Sequence, residues 1–149
     1  MNIKEELYKQ CEAFIEIRLK AIQKSIDEIQ NSLTTETKSS AGDKHETGRA
    51  MLQLEREKAG KQLSETEKIK HILNRINIES SQKSIGLGSV VYTSKSNYFI
   101  TISAGELKVE EKPFFAISVH TPIGQLLLGK TVGDSIKFRN QEFIIEKIE

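Results

Sequence analysis

The chain has 149 residues, 37% of them apolar and 29% charged, enough for one mid-sized domain or two small ones with a modest core. Its 22 Lys and Arg against 21 Asp and Glu leave a net charge of +1, which argues against a grip on nucleic acid through bulk charge. Cys11 is the only cysteine, which excludes an intramolecular disulfide and any multi-cysteine zinc site.

The opening MNIKEELYKQ is polar and acidic where a signal peptide is basic and then apolar. No stretch approaches the roughly 18 apolar residues of a membrane span. The expectation is a soluble cytoplasmic protein with no membrane partner.

Up to about residue 80 there is no proline, and apolar residues recur at helical spacing. Leu7, Cys11, Phe14, Ile22, Ile26, Ile29 and Leu33 form one stripe, with a skip after Phe14 partly covered by Arg18 and Leu19. Leu52, Ala59, Leu63, Thr66, Leu73 and Ile76 form a second. Both stripes are narrow, and neither helix buries its own. The economical solution is an antiparallel hairpin over residues 1–79 in which each covers the other, with irregular packing close to a coiled coil.

Between the stripes lies Thr34 to Gly48, whose only apolar side chain is Ala41. Its Ser, Thr and Gly content predicts the hairpin tip, flanked by fraying helix ends. A helix from about residue 3 to residue 40, rising about 1.5 Å per residue, would carry that tip on the order of 50 Å from the base.

After residue 80 the period becomes two. Ser81–Ser89 reads as a linker, and SVVYT, NYFITIS and FFAISV read as strands. TPIGQLLLG predicts a short helix with Thr121 as N-cap and Pro122 at its first position. The last stretch predicts a β-hairpin turning near Arg139-Asn140, with Phe143 and Ile145 on one side of the final strand and Ile144 and Ile148 on the other. Residues 80–149 thus form a small, mostly antiparallel sheet with one short helix, and the whole chain is α+β. A core that small predicts help from the base of the helical hairpin.

The catalytic inventory is thin. His45, His71 and His120 lie far apart; His71 is expected to face solvent and His120 to sit in a strand-to-helix turn. Cys11, on an apolar stripe, predicts an inert buried thiol. No glycine-rich phosphate loop is present.

Asp43 and Glu46 remain, spaced i, i+3 at the tip. From spacing alone they read first as a helix cap of the capping-box kind; the functional reading is a carboxylate pair that holds a divalent cation through oxygen ligands inside a partner's cavity, and the two are compatible. Two carboxylates are an incomplete Mg²⁺ site, so the partner would supply the rest. Arg49, Arg56, Lys58 and Lys61 are interleaved with Glu55 and Glu57 and read as a solvated face.

The stretch Ile117 to Phe138 resembles the C-terminal domain of bacterial Gre-type transcript cleavage factors (GreA/GreB-like), matching at Ser118-Val119, Pro122-Ile123 and Leu128-Gly129-Lys130. Gly42-Asp43 with Glu46 resembles that family's tip motif. Beyond Glu46 the chain has Thr47-Gly48-Arg49-Ala50 where the family places Asn and then an aromatic residue. The resemblance implies a coiled-coil hairpin followed by a small FKBP-like domain.

It also implies that bacterial RNA polymerase is the partner and that the tip approaches the nascent RNA 3′ end through the secondary channel. Asp43 and Glu46 would help hold an Mg²⁺ shared with the polymerase and stimulate cleavage of backtracked RNA. The protein would then be a monomeric accessory factor and not itself an enzyme. The alternatives are a secondary-channel regulator that does not promote cleavage, a prolyl isomerase or chaperone with a helical arm, and a coiled-coil adaptor. Against the isomerase stands the placement of Phe and Tyr mainly at strand positions.

Overall fold

The computed structural model describes the backbone of residues 2–38 and 43–149, and their side chains except at 36–38 and 43–45. Two long helices come first, α1 (Ile3–Lys38) and α2 (Asp43–Asn74). Six strands and one short helix follow: β1 (Val90–Thr93), β2 (Asn97–Ile100), β3 (Gly105–Val109), β4 (Lys112–Ile117), α3 (Pro122–Leu127), β5 (Ser135–Phe138) and β6 (Gln141–Ile148). The α+β class and the helical hairpin ahead of a small sheet are as the sequence predicts. The chain packs as two compact units, Ile15–Lys70 and the combination of Met1–Phe14 with His71–Glu149.

In the helical unit α1 and α2 run antiparallel. The Lys70 ammonium meets the Glu16 carboxylate at 3.0 Å, and Arg49 donates to the Leu33 carbonyl at 3.4 Å. Ile15, Ile26, Leu33, Ala59 and Thr66 are buried along this pair, and Leu19, Ile22, Ile29, Leu52, Leu63 and Ile69 are half-buried. Ile15, and not Phe14, fills the skip in the first stripe: it lies four residues beyond Cys11 and is 1% exposed, while Arg18 faces solvent. The α1 helix continues into the polar segment as far as Lys38, close to the end at about residue 40 that the sequence predicts. Thr34 and Thr35 donate their hydroxyls to the Gln30 and Asn31 carbonyls at 3.1 Å, so these side chains bond within the helix instead of competing with it.

In the second unit the strand order is β3-β4-β2-β1-β6-β5. All neighbours are antiparallel except β2 and β4, a parallel pair that the sequence reading did not anticipate. It also missed β3, where Gly105-Glu106-Leu107-Lys108-Val109 alternates but carries two charged residues; Leu107 and Val109 are the buried positions. Because successive side chains alternate in direction, the sheet has two buried faces. One carries Val91, Ile100, Phe143 and Ile145, packed with Leu127 of α3, Ile136 and the linker residue Ile85. On the other side of these strands, Val90, Phe99, Phe114 and Ala116 are likewise buried.

The base of the helical pair meets the sheet strands within this unit. Leu7 and Cys11 are fully buried, Lys4 donates to the Ser80 carbonyl at 2.8 Å, and Gln10 donates to the Lys108 carbonyl at 2.8 Å. Ile76 approaches the loop before β1 so closely that a side chain at Gly88 would sit 3.0 Å from its methyl group, and Gly88 also has φ +90°. The linker is pinned as well, since Ile85 exchanges backbone hydrogen bonds with Lys130 and Gly129.

The last strand departs from simple alternation. Phe143 and Ile145 are buried and Ile144 is exposed, as expected, but Ile148 packs against the same core as Phe143. A register shift between β1 and β6 at Tyr92/Thr93 inserts one residue and returns Ile148 to the inner face.

Candidate functional site at the turn of the helical hairpin

Helix α1 ends at Lys38 and α2 begins at Asp43, with residues 39–42 between them. Asp43 and Glu46 therefore belong to the first turn of α2, where unpaired backbone N–H groups and the helix dipole favour negative charge. Glu46 is exposed. The side chain of Asp43 lies outside the described residues, as do those of Lys44 and His45, so neither the cap nor the ligand reading of Asp43 has a geometry to report. One turn further on, Arg49 ties α2 to the Leu33 carbonyl. Arg56 is half-buried, and Lys58 and Lys61 alternate with exposed Glu55 and Glu57, the arrangement of a solvated face.

Two carboxylates one turn apart supply hard oxygen donors of the kind Mg²⁺ accepts, and they fit such an ion only as part of a larger ligand set. Among the described residues no group of three or more His, Cys, Asp or Glu is placed to hold a metal.

The other chemistry-bearing side chains, Cys11, His71 and His120, belong to the unit that carries the sheet. His71 and His120 are exposed, and His120 occupies the turn leading to α3. Cys11 is fully buried, and burial pushes its thiol up to about 11 from an ordinary 9.0, partly offset by the Thr101 hydroxyl that it faces. That hydroxyl has no other hydrogen-bond partner among the described residues. A thiol held this way is a core group and a poor nucleophile.

The raised thiol pKa has a consequence for stability. A neutral buried thiol contributes stability that is fully present below pH 9.0 and is lost as the pH rises toward about 11. A shift of that size corresponds to about 2 to 3 kcal/mol. Lys4, whose ammonium is pushed down by burial, acts in the opposite sense. Thermal melts across this alkaline window should show a falling midpoint for the native chain and a flatter profile for Cys11→Ala, despite the variant's lower midpoint at neutral pH. Equal slopes would remove the thiol from the account.

One site escaped the sequence reading. The parallel register pairs Tyr98 with Phe115, and Ile117, Ile123 and Phe138 close around them to form a groove of about 530 Å³. Tyr98 lies 6.1 Å from the Phe115 ring and 6.4 Å from Phe143 in the core. Strand placement of the aromatics, which argued against a pocket, is what brings them together. The available signal was the matched alternation of Tyr98/Ile100 and Phe115/Ile117, which becomes a common face only once β2 and β4 are known to be neighbours.

No helix among the described residues is long and apolar enough to cross a membrane. No protein-family model matches the chain, and no curated protein matches it. Among solved structures, that of the transcription factor Gfh1 is similar over 95% of this chain and 92% of its own, with 24% identity and a TM-score of 0.36.

Proposed function

We propose that the chain is a transcription factor of the Gre type that binds bacterial RNA polymerase at its secondary channel and stimulates cleavage of backtracked RNA. The observation that carries this reading is the placement of Asp43 and Glu46 in the first turn of α2, directly after the chain reverses between two long helices. The C-terminal sequence resemblance supports it, and the sheet unit with its capped short helix is consistent with it.

In this mechanism the polymerase is the enzyme. Asp43 and Glu46, in the first turn of α2, would serve as oxygen donors, and a helix N-terminus favours carboxylates in their ionised form. An Mg²⁺ shared with polymerase carboxylates would supply Lewis-acid chemistry and an activated water at the RNA 3′ end. Arg49 and Leu33 hold the adjoining turns of the two helices together, which keeps the pair on a defined support.

The decisive experiment uses backtracked elongation complexes with end-labelled RNA, Mg²⁺ and either the native chain or the Asp43→Ala, Glu46→Ala double variant. The native chain should shorten the RNA, and the double variant should lose that stimulation by about a hundredfold or more, as expected when direct ligands of a catalytic metal are removed, since even outer-shell partners are worth about 10- to 100-fold. If both proteins bind the complex and neither shortens the RNA, the chain is a channel regulator without cleavage activity. The Thr47-Gly48-Arg49-Ala50 sequence following Glu46 is the observation that favours this second reading.

A further inference from the structure

We propose that Arg49 is a positioning residue: by tying the start of α2 to α1 it keeps the first turn of α2 helical, and so decides whether a bound chain presents Asp43 and Glu46 together. Its functional consequence rests on the cleavage reading above; its structural consequence belongs to the helical hairpin alone.

The turn that carries the carboxylates is weak by composition. His45, Thr47 and Gly48 are poor helix formers, and a helix begun at Asp43 leaves its first four amides without partners inside the helix. Local support comes from Asp43 and Glu46, whose charges suit a helix N-terminus. A cation held by those two carboxylates would take that support away, so the turn needs a hold that does not depend on them. Packing supplies little of it. Thr34 and Thr35 of α1 and Glu46 and Thr47 of α2 are exposed, while Leu33 is buried and Leu52 half-buried.

Arg49 stands where the packed part of the pair gives way to the exposed part. Arg49, Arg56 and Leu63 follow one another at intervals of seven and all three are half-buried, so Arg49 occupies the stripe of α2 that faces α1. Its guanidinium donates to the Leu33 carbonyl at 3.4 Å. A carbonyl bonded within its own helix keeps a second lone pair for such a donor. An apolar side chain here would bury area without fixing direction, whereas a charged donor on a carbonyl sets the rotation of α2 about its axis. Glu46 lies about one turn before Arg49, and Asp43 about one turn before Glu46. The rotation held at Arg49 is therefore the rotation of both carboxylates.

Arg49→Met tests the donor, because Met matches Arg in helix propensity and offers no N–H. In a helix begun at Asp43 the amides of Thr47, Gly48, Arg49 and Ala50 donate to the carbonyls of residues 43–46, so their hydrogen exchange in the full chain reports the first turn. Their protection should fall about five- to tenfold in Arg49→Met, the size expected when one hydrogen bond from a charged donor is lost. Protection at Leu63 and Thr66 should be unchanged, and Arg49→Lys, which keeps a charged donor, should retain most of the protection at the turn.

On backtracked complexes, Arg49→Met should lower the maximal rate of RNA shortening about three- to tenfold, with the half-saturating concentration of the factor within about twofold of native. Equal protection of residues 47–50 in the native chain and Arg49→Met overturns the proposal. A loss confined to the half-saturating concentration, or an unchanged maximal rate, overturns it equally. If the native chain shortens no RNA, the cleavage reading fails separately, and the exchange measurement still decides whether Arg49 holds the turn.

Discussion

Gly124→Ala should destabilise the sheet unit by about 3 kcal/mol or more, although glycine-to-alanine changes inside helices ordinarily stabilise by about 1 kcal/mol. The reversal comes from the turn that starts α3. Thr121 caps the helix, accepting from the Gly124 amide at 3.1 Å while its own hydroxyl donates to the Ser118 carbonyl at 2.8 Å. These two hydrogen bonds at one hydroxyl hold the Ser118 carbonyl against the first turn. A β-carbon on Gly124 would lie 2.2 Å from that carbonyl oxygen and 2.8 Å from the Thr121 hydroxyl.

The nearer obstacle is backbone and cannot swing aside, so either the cap or the strand end before it must move. Urea unfolding of Gly124→Ala against the native chain measures the loss, with Gln125→Ala, exposed on the same helix, as a nearly neutral control. A midpoint at or above the native value would show that the turn yields freely.

Phe114→Ala should cost about 3 to 5 kcal/mol, a large part of the stability expected for a unit of this size. Phe114 is fully buried on the face of the sheet opposite α3 and makes an edge-to-face contact with Tyr92, with ring centroids 5.8 Å apart. Removing the ring leaves a void that close-packed neighbours fill only in part. The adjacent Phe115 points to the other face and is 36% exposed, so Phe115→Ala should cost less, about 1 to 2 kcal/mol. Paired denaturant titrations of the two variants test the alternation directly. Similar losses at both positions would contradict the assignment of faces.

Much of the fold was legible because its elements announce themselves locally. Thr121-Pro122 carries its own start signal, the switch from helical to alternating periodicity marks the passage from α2 to the strands, and the Arg139-Asn140 turn falls where alternation pauses. What escaped depended on partners distant in sequence. The charged residues of β3 conceal a strand that is an edge strand of the sheet. Nothing local says that β2 and β4 run parallel. The turn of Ile148 toward the core follows from a register shift against β1, which alternation along β6 alone does not encode.

The candidate site divides in the same way. The carboxylate spacing at Asp43 and Glu46 is a local pattern and could be read from the sequence. The aromatic groove exists only as the meeting of Tyr98 on one strand with Phe115 on another.

The position of β6 has a consequence for how the protein comes into being. It is last in order along the chain yet interior to the sheet, bonded to β1 on one side and to β5 on the other. During synthesis the pairing of α1 with α2 uses residues close in sequence and can form early, whereas β1 and β5 wait for a strand that emerges after both of them. Leu7 and Cys11, which emerge well ahead of the strands, are buried in a unit whose sheet is complete only when β6 arrives. Until then these apolar side chains have no finished surface to cover them, and the interval between their emergence and that of β6 is when the nascent chain is most exposed to mispairing and to the chaperones that prevent it.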